Sequence, residues 1–225
     1  MNYDRIYQYR FQDIAAAKKK VTWEEIANFI YNQLSKPAVI LDPAAGKCEF
    51  INAVKSGERW AVDLNDYFIG KYADPAIKIV VGDIFKVDLP ENHFDAIFVS
   101  NFLEHLDSQY QVAEFLEKMF TCMKPGGKIA VMGPNFKYAS RSYFDFADHT
   151  VILSELGLAE HLYGAGFEID RIHPRFLPLS FRGRIPVSRQ LVKIYLSLPF
   201  AWRILGKQFL LIGTKAKPVV DTVTR

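Results

Sequence analysis

The first clear apolar periodicity runs from Thr22 to Leu34, where Ile26, Phe29, Ile30 and Leu34 recur at helical spacing. Thr22 followed by Glu25 three positions later matches a capping box and marks the expected helix start. From Val39 the rhythm changes. Short apolar runs at Val39 to Leu41, Trp60 to Val62, Ile79 to Val81, Phe94 to Val99 and within Met123 to Met132 alternate with mixed helical stretches. That alternation predicts a parallel sheet with helices on both faces. An aromatic and polar loop is expected from Gly133 to Thr150, then a helix from Ser154 stopped by Gly164 and Gly166. Phe167 to Phe176 and Gln208 to Lys215 read as the last two strands, separated by an insertion over about 177–207. The predicted organisation is a helical extension or lid over 1–37, one α/β domain over 38–217 and a flexible tail over 218–225.

A chain of 225 residues, half of them hydrophobic, suffices for one domain with a substantial core. No repeat or low-complexity tract interrupts it. No apolar run reaches 18 residues, so no membrane-spanning helix is expected. The N-terminus carries Arg5, Arg10 and Lys18 to Lys20 in place of a secretory pattern. The only cysteines, Cys48 and Cys122, give neither a disulfide framework nor a metal-ligand cluster. The expected compartment is therefore a reducing cytoplasm, and no metal is expected.

Chemistry enters at Val39-Ile-Leu-Asp-Pro-Ala-Ala-Gly-Lys-Cys48. An apolar strand ending in Asp42 and then small residues around Gly46 presents a carboxylate and backbone N–H groups at a strand's carboxyl end. Nucleotide-like ligands bind there in open α/β sheets. Trp60-Ala-Val-Asp63 ends a second strand in another acid about twenty residues on, a spacing that dinucleotide folds share. Ile79-Val-Val-Gly-Asp83, Phe94 to Asn101 and the Pro125-Gly-Gly127 turn follow in order. No G-x-G-x-x-G and no G-x-x-x-x-G-K-[ST] is present.

This series resembles the motifs of class I S-adenosylmethionine-dependent methyltransferases. The resemblance implies a Rossmann-like fold, mostly parallel and seven-stranded with an antiparallel edge hairpin, and S-adenosylmethionine as cofactor. It assigns the cofactor to Asp42, Ala44, Gly46, Cys48, Asp63, Leu64, Asp83, Ile84, Asn101, Phe102 and Leu103. Cys48 stands where the family usually has a second glycine, which is expected to alter affinity. In the N-terminal lid, Arg10 is a candidate partner for the cofactor carboxylate, because a guanidinium forks onto carboxylate oxygens.

Methyl transfer to an alcohol removes a proton, which favours a positioned base. Candidates are His105, in Ser100-Asn-Phe-Leu-Glu-His105, which the resemblance places beside the cofactor as a lining or supporting group, and the pair Asp148 and His149 in the loop after the fifth strand. An imidazole held by a carboxylate is a usable base near neutral pH. The alternative for the loop is a plain helix entry, with Thr150 and Ser154 as caps.

Between Arg171 and Lys217 lie ten basic residues and no acidic one, so of the net +3 the remaining chain carries −7 (3 minus 10). Aromatic and aliphatic residues interleave with them. A solvated face, an anionic small or carrier-linked acceptor, an anionic membrane surface and nucleic acid all fit this pattern. Nucleic acid ranks last, since the fourth strand lacks the Asn/Asp-Pro-Pro-aromatic signature of amino-methylating DNA enzymes. The last third also resembles bacterial methyltransferases of sugar and cell-envelope biosynthesis, through Phe144 to His149, Pro174 to Pro178 and Pro199 to Gln208. That implies O-methylation of a sugar or glycan intermediate, a phosphate-linked one suiting Arg182 and Arg184, with Tyr138 also on the acceptor side. No obligate protein partner is inferred. Two rival expectations are a non-catalytic binding protein that keeps the fold, and a peripheral membrane protein anchored through Arg184 to Lys207.

Overall fold

The computed structural model describes residues 5–6, 9, 16–179 and 188–217, with the side chains of 16–18 also left out. Seven strands form one sheet: β1 (Val39–Asp42), β2 (Glu58–Asp63), β3 (Lys78–Val81), β4 (Phe94–Ser100), β5 (Met123–Pro134), β6 (Phe167–His173) and β7 (Gln208–Lys215). Their order is β3-β2-β1-β4-β5-β7-β6. Every pairing is parallel up to β5, and β7 runs antiparallel to both β5 and β6. This is the Rossmann-like methyltransferase fold with its edge hairpin. The strand order reverses between β1 and β4, which opens a crevice at their carboxyl ends.

Helices cover both faces, and β4 shows why its apolar run is nearly continuous. Ala96 and Phe98 point into one core, while Phe94, Ile97 and Val99 point into the other. The first core also holds Ile26, Ile30 and Leu34 of α1 (Ala16–Gln33) and Phe50 of α2 (Glu49–Ala53). The second is lined by Val112, Phe115 and Met119 of α4 (Gln109–Cys122), which follows α3 (Asp66–Tyr72), and by Leu158 and Leu162 of α6 (Glu155–Gly164). Ser154 caps α6, its hydroxyl accepting from Gly157 N at 3.2 Å.

Two elements differ from the sequence pattern. Helix α1 begins six residues before Thr22, so the Thr22 and Glu25 pair lies in the helix interior and both are buried. Glu25 there accepts from Arg189 Nη1 at 2.7 Å instead of closing a cap. Within the expected loop from Gly133 to Thr150, α5 (Phe136–Tyr143) forms behind an Asn135 cap. Its Tyr143 is fully buried and donates its hydroxyl to the Val151 carbonyl.

The segment between β6 and β7 supplies α7 (Arg189–Ser197) and α8 (Pro199–Leu205). It joins the N-terminal helix. Phe29 stacks on Phe176 at 5.3 Å between centroids and meets Trp202 edge-on at 5.7 Å. Trp202 Nε1 in turn donates to Tyr195 O at 2.8 Å. Arg10, Arg182 and Arg184 lie outside the described residues. Among the described residues, no helix is long and apolar enough to cross a membrane.

Candidate active site

The turn after β1 is held by backbone contacts. Ala45 N donates to Val62 O at 2.9 Å, tying the turn to β2. Gly46 N donates to Asp63 Oδ2 at 2.6 Å, and Asn65 N to Asp63 Oδ1 at 2.8 Å. Asp63 thus fastens the turn to the end of β2. Gly46 has φ +51°, and a Cβ built on it would meet nothing within 4 Å, so open space lies over the turn. Cys48 also takes the left-handed conformation, with φ 59°, at the start of α2. A side chain there costs about 1–2 kcal/mol. That side chain is fully buried in the first core, away from solvent, and burial pushes its thiol up to about 12.

Asp42 and Ala44 sit beside Gly46 on the same turn. Burial, then the charge of Asp63, raises Asp42 from 3.8 to about 8, against a weaker opposing hydrogen bond from Ala44. Asp63 is raised too, mainly by burial. The folded protein therefore holds a proton on Asp42 that the unfolded chain loses near pH 4. That contribution to stability is complete below about pH 4 and is lost as pH rises towards about 8. Without cofactor, the melting temperature should fall more between pH 5 and pH 8 for the native protein than for Asp42→Asn. Parallel melting curves would show that Asp42 is not the titrating group.

Leu64 is 73 % exposed, a large apolar side chain left in the open at the end of β2. Asp83, half-buried past β3, accepts from Phe85 N at 3.0 Å and pairs with Lys86 at 3.2 Å, while Ile84 is buried. Beyond β4, Asn101 is left-handed at φ 49° and donates its N–H to Met132 O at 2.9 Å. Phe102 lies against Phe115 at 5.1 Å, and Leu103 is buried. Carboxylates at two strand ends, an open glycine turn and an exposed leucine suit a ligand with hydroxyls and an apolar ring.

A second group gathers past β4. The short 3-10 turn Leu103–His105 and the segment from Asp148 to Val151 are fastened together, with Thr150 N and Val151 N donating to Glu104 O at 2.8 and 3.1 Å. His105 Nδ1 lies 2.9 Å from Asp148 O and 3.4 Å from an Asp148 carboxylate oxygen. Its Nε2 faces Glu104 Oε1 at 3.9 Å. His149 stacks on Phe146 and meets His105 and Tyr143 edge-on, at centroid distances of 4.8, 5.0 and 4.8 Å. The sequence links Asp148 with its neighbour His149, whereas here its carboxylate reaches His105. Glu104, 2 % exposed, is the member of the group that the sequence did not single out. Its place beside His105 was the available signal.

Tyr138, on α5, has the Arg175 guanidinium 4.8 Å over its ring. Much of the basic stretch is bonded to the protein itself. Arg175 donates to Gly206 O and Ile204 O, Arg171 to Gln33, Arg189 to Glu24 and Glu25, and Lys215 to Phe120 O and Met123 O. Arg203, Lys207 and Lys217 remain exposed.

The crevice, the paired acids and the sheet order are features of the Rossmann-like methyltransferase fold. Residues 41–131 match a family model described as "Methyltransferase domain". That stretch carries the methyltransferase domain, and S-adenosylmethionine is the cofactor such a domain uses. A methyltransferase from Archaeoglobus fulgidus is 19 % identical with TM-score 0.67, over 95 % of this chain and all of that one. A possible histamine N-methyltransferase from Thermotoga maritima is 14 % identical with TM-score 0.66, covering 93 % and 94 % of the two chains. Geranyl diphosphate C-methyltransferase from Streptomyces coelicolor is 14 % identical with TM-score 0.62, covering 85 % and 78 %. At these identities the likeness is one of fold. No curated protein sequence matches the chain.

Proposed function

We propose that the protein methylates a hydroxyl oxygen on a small or carrier-linked anionic acceptor, a sugar or related metabolite. The observation that carries this reading is the cluster of Glu104, His105, Asp148 and His149 directly past β4. S-adenosylmethionine supplies a methyl group already activated on a sulfonium. The protein's share is to hold the acceptor oxygen in line and to manage the proton it loses. Asp42, Gly46, Asp63 and Asn101 hold the cofactor side. The imidazoles, with Asp148 fixing the orientation of His105, serve the acceptor side.

A second reading concerns where the acceptor sits. Leu191 and Ile194 on α7, Phe200, Ile204 and Leu205 on α8, and Leu198 between the two helices are all exposed, with Phe200 72 % open. Arg203 and Lys207 lie among them. Exposed apolar side chains interspersed with cations along this segment suit the headgroup boundary of an anionic bilayer. An enzyme acting on a lipid-linked sugar works at such a boundary.

One experiment tests both. Transfer of labelled methyl from S-adenosylmethionine into an extract of the source cells, split into aqueous and lipid-soluble fractions, should label one pool. Label in the aqueous pool indicates a soluble acceptor. Label in the lipid pool supports the membrane-surface reading. No label in either, with cofactor binding intact, would reject methyl transfer and favour a binding protein on this fold.

A further inference from the structure

We propose that Glu104, His105 and His149 form a binding site for one divalent transition-metal cation on the acceptor side of the crevice. One ligand atom from each residue lies within 4.8 Å of the other two. Two imidazoles and one carboxylate are a donor set that binds first-row transition metals, while Mg2+ and Ca2+ prefer oxygen ligands throughout.

The hydrogen bonding sets the chemistry of the donors. His105 Nδ1 faces the Asp148 carbonyl at 2.9 Å and, more loosely, its carboxylate at 3.4 Å. A carbonyl only accepts, so Nδ1 carries the proton and the lone pair of neutral His105 is on Nε2. Metal-bound histidines are held in this manner, the second ring N–H donated to a carbonyl or carboxylate. That Nε2 then points at Glu104 Oε1 across 3.9 Å, too far for a direct hydrogen bond. A neutral His105 lone pair and a carboxylate oxygen facing each other at this distance suit a cation between them. With bonds of about 2.1 Å to each, a cation spans donors up to roughly 4.2 Å apart, so the 3.9 Å pair already fits. Small side-chain rotations close the widest gap to His149.

Both halves of the site are anchored. Glu104 O takes the N–H groups of Thr150 and Val151, so the turn carrying Glu104 and His105 cannot drift from His149. His105 is only half-buried, which leaves a side open for an acceptor oxygen. The spacing hides the site in the sequence, since His149 lies 44 residues beyond His105 and no short ligand motif joins them. The inference deepens the proposed acceptor chemistry, because a bound cation would hold the hydroxyl oxygen and ease its loss of a proton.

The test is Co2+ binding to the full chain after chelator treatment, followed by calorimetry and by the visible spectrum of the bound ion. One equivalent should bind, and paramagnetic Co2+ should shift the ring resonances of two of the five histidines. His149→Phe and Glu104→Gln should each weaken binding at least tenfold, while His161→Ala should leave it unchanged. The shifted resonances need no variant, so a misfolded mutant would not blunt the test. No bound Co2+, Mn2+ or Zn2+, or binding untouched by His149→Phe in a folded protein, overturns the site. Methyl transfer by a protein that binds no metal would overturn it and leave the proposed function standing. Metal bound without any methyl transfer would support the site and count against that function.

Discussion

Asp63→Ala is expected to raise the dissociation constant for the homocysteine product of the cofactor by about 100-fold. The carboxylate has two duties at once. One oxygen accepts from Gly46 N at 2.6 Å and the other from Asn65 N at 2.8 Å, so it shapes the turn that faces the cofactor. Each hydrogen bond to a charged group contributes about 1.5–3 kcal/mol, and about 2.7 kcal/mol corresponds to 100-fold. Alanine leaves both N–H groups without their acceptor. Asparagine retains one carbonyl oxygen but turns an NH2 group towards the other N–H, so Asp63→Asn should fall between alanine and the native protein. Isothermal titration with the product reads the effect, and a thermal melt of each variant separates lost affinity from lost folding. A change of less than threefold in folded Asp63→Ala would show that Asp63 does not organise the cofactor side.

The parts of the site that could be read directly from the sequence are those built from contiguous residues. Asp42, Ala44 and Gly46 lie in one turn, and the strand before them is an unbroken apolar run because both faces of β1 are covered. The edge hairpin followed from the resemblance of the motifs, and the strand order β5-β7-β6 agrees with it. What could not be read depends on contacts between distant segments. Local chemistry favours Thr22 as a cap, yet Arg189, 164 residues beyond Glu25, gives that carboxylate a partner inside the helix. The basic stretch from Arg171 to Lys217 looks like one face only in the linear sequence. Folding sends Arg175 and Lys215 to backbone carbonyls and Arg189 to two acids of α1. Likewise Glu104 gains meaning only when its carbonyl ties the segment after Asp148 against it.

His149 is where the loss of a single side chain should cost the most turnover. Removing its imidazole is expected to cut turnover at least tenfold under saturating cofactor while leaving cofactor affinity in place. A positioned proton acceptor contributes about 100-fold or more, and a ligand to a cation that holds the acceptor contributes through the same atoms. Packing complicates the alanine variant. The ring stacks on Phe146 and meets Tyr143 and His105 edge-on, so His149→Ala opens a hole in a buried aromatic cluster. His149→Phe keeps a flat ring of similar size and removes both nitrogens, which separates the chemistry from the packing. If the nitrogens matter, both variants lose turnover although His149→Phe keeps more of the native melting temperature. If only packing matters, His149→Phe restores turnover. A folded His149→Phe protein that turns over at the native rate would therefore take this residue out of the acceptor chemistry and leave the proton to His105.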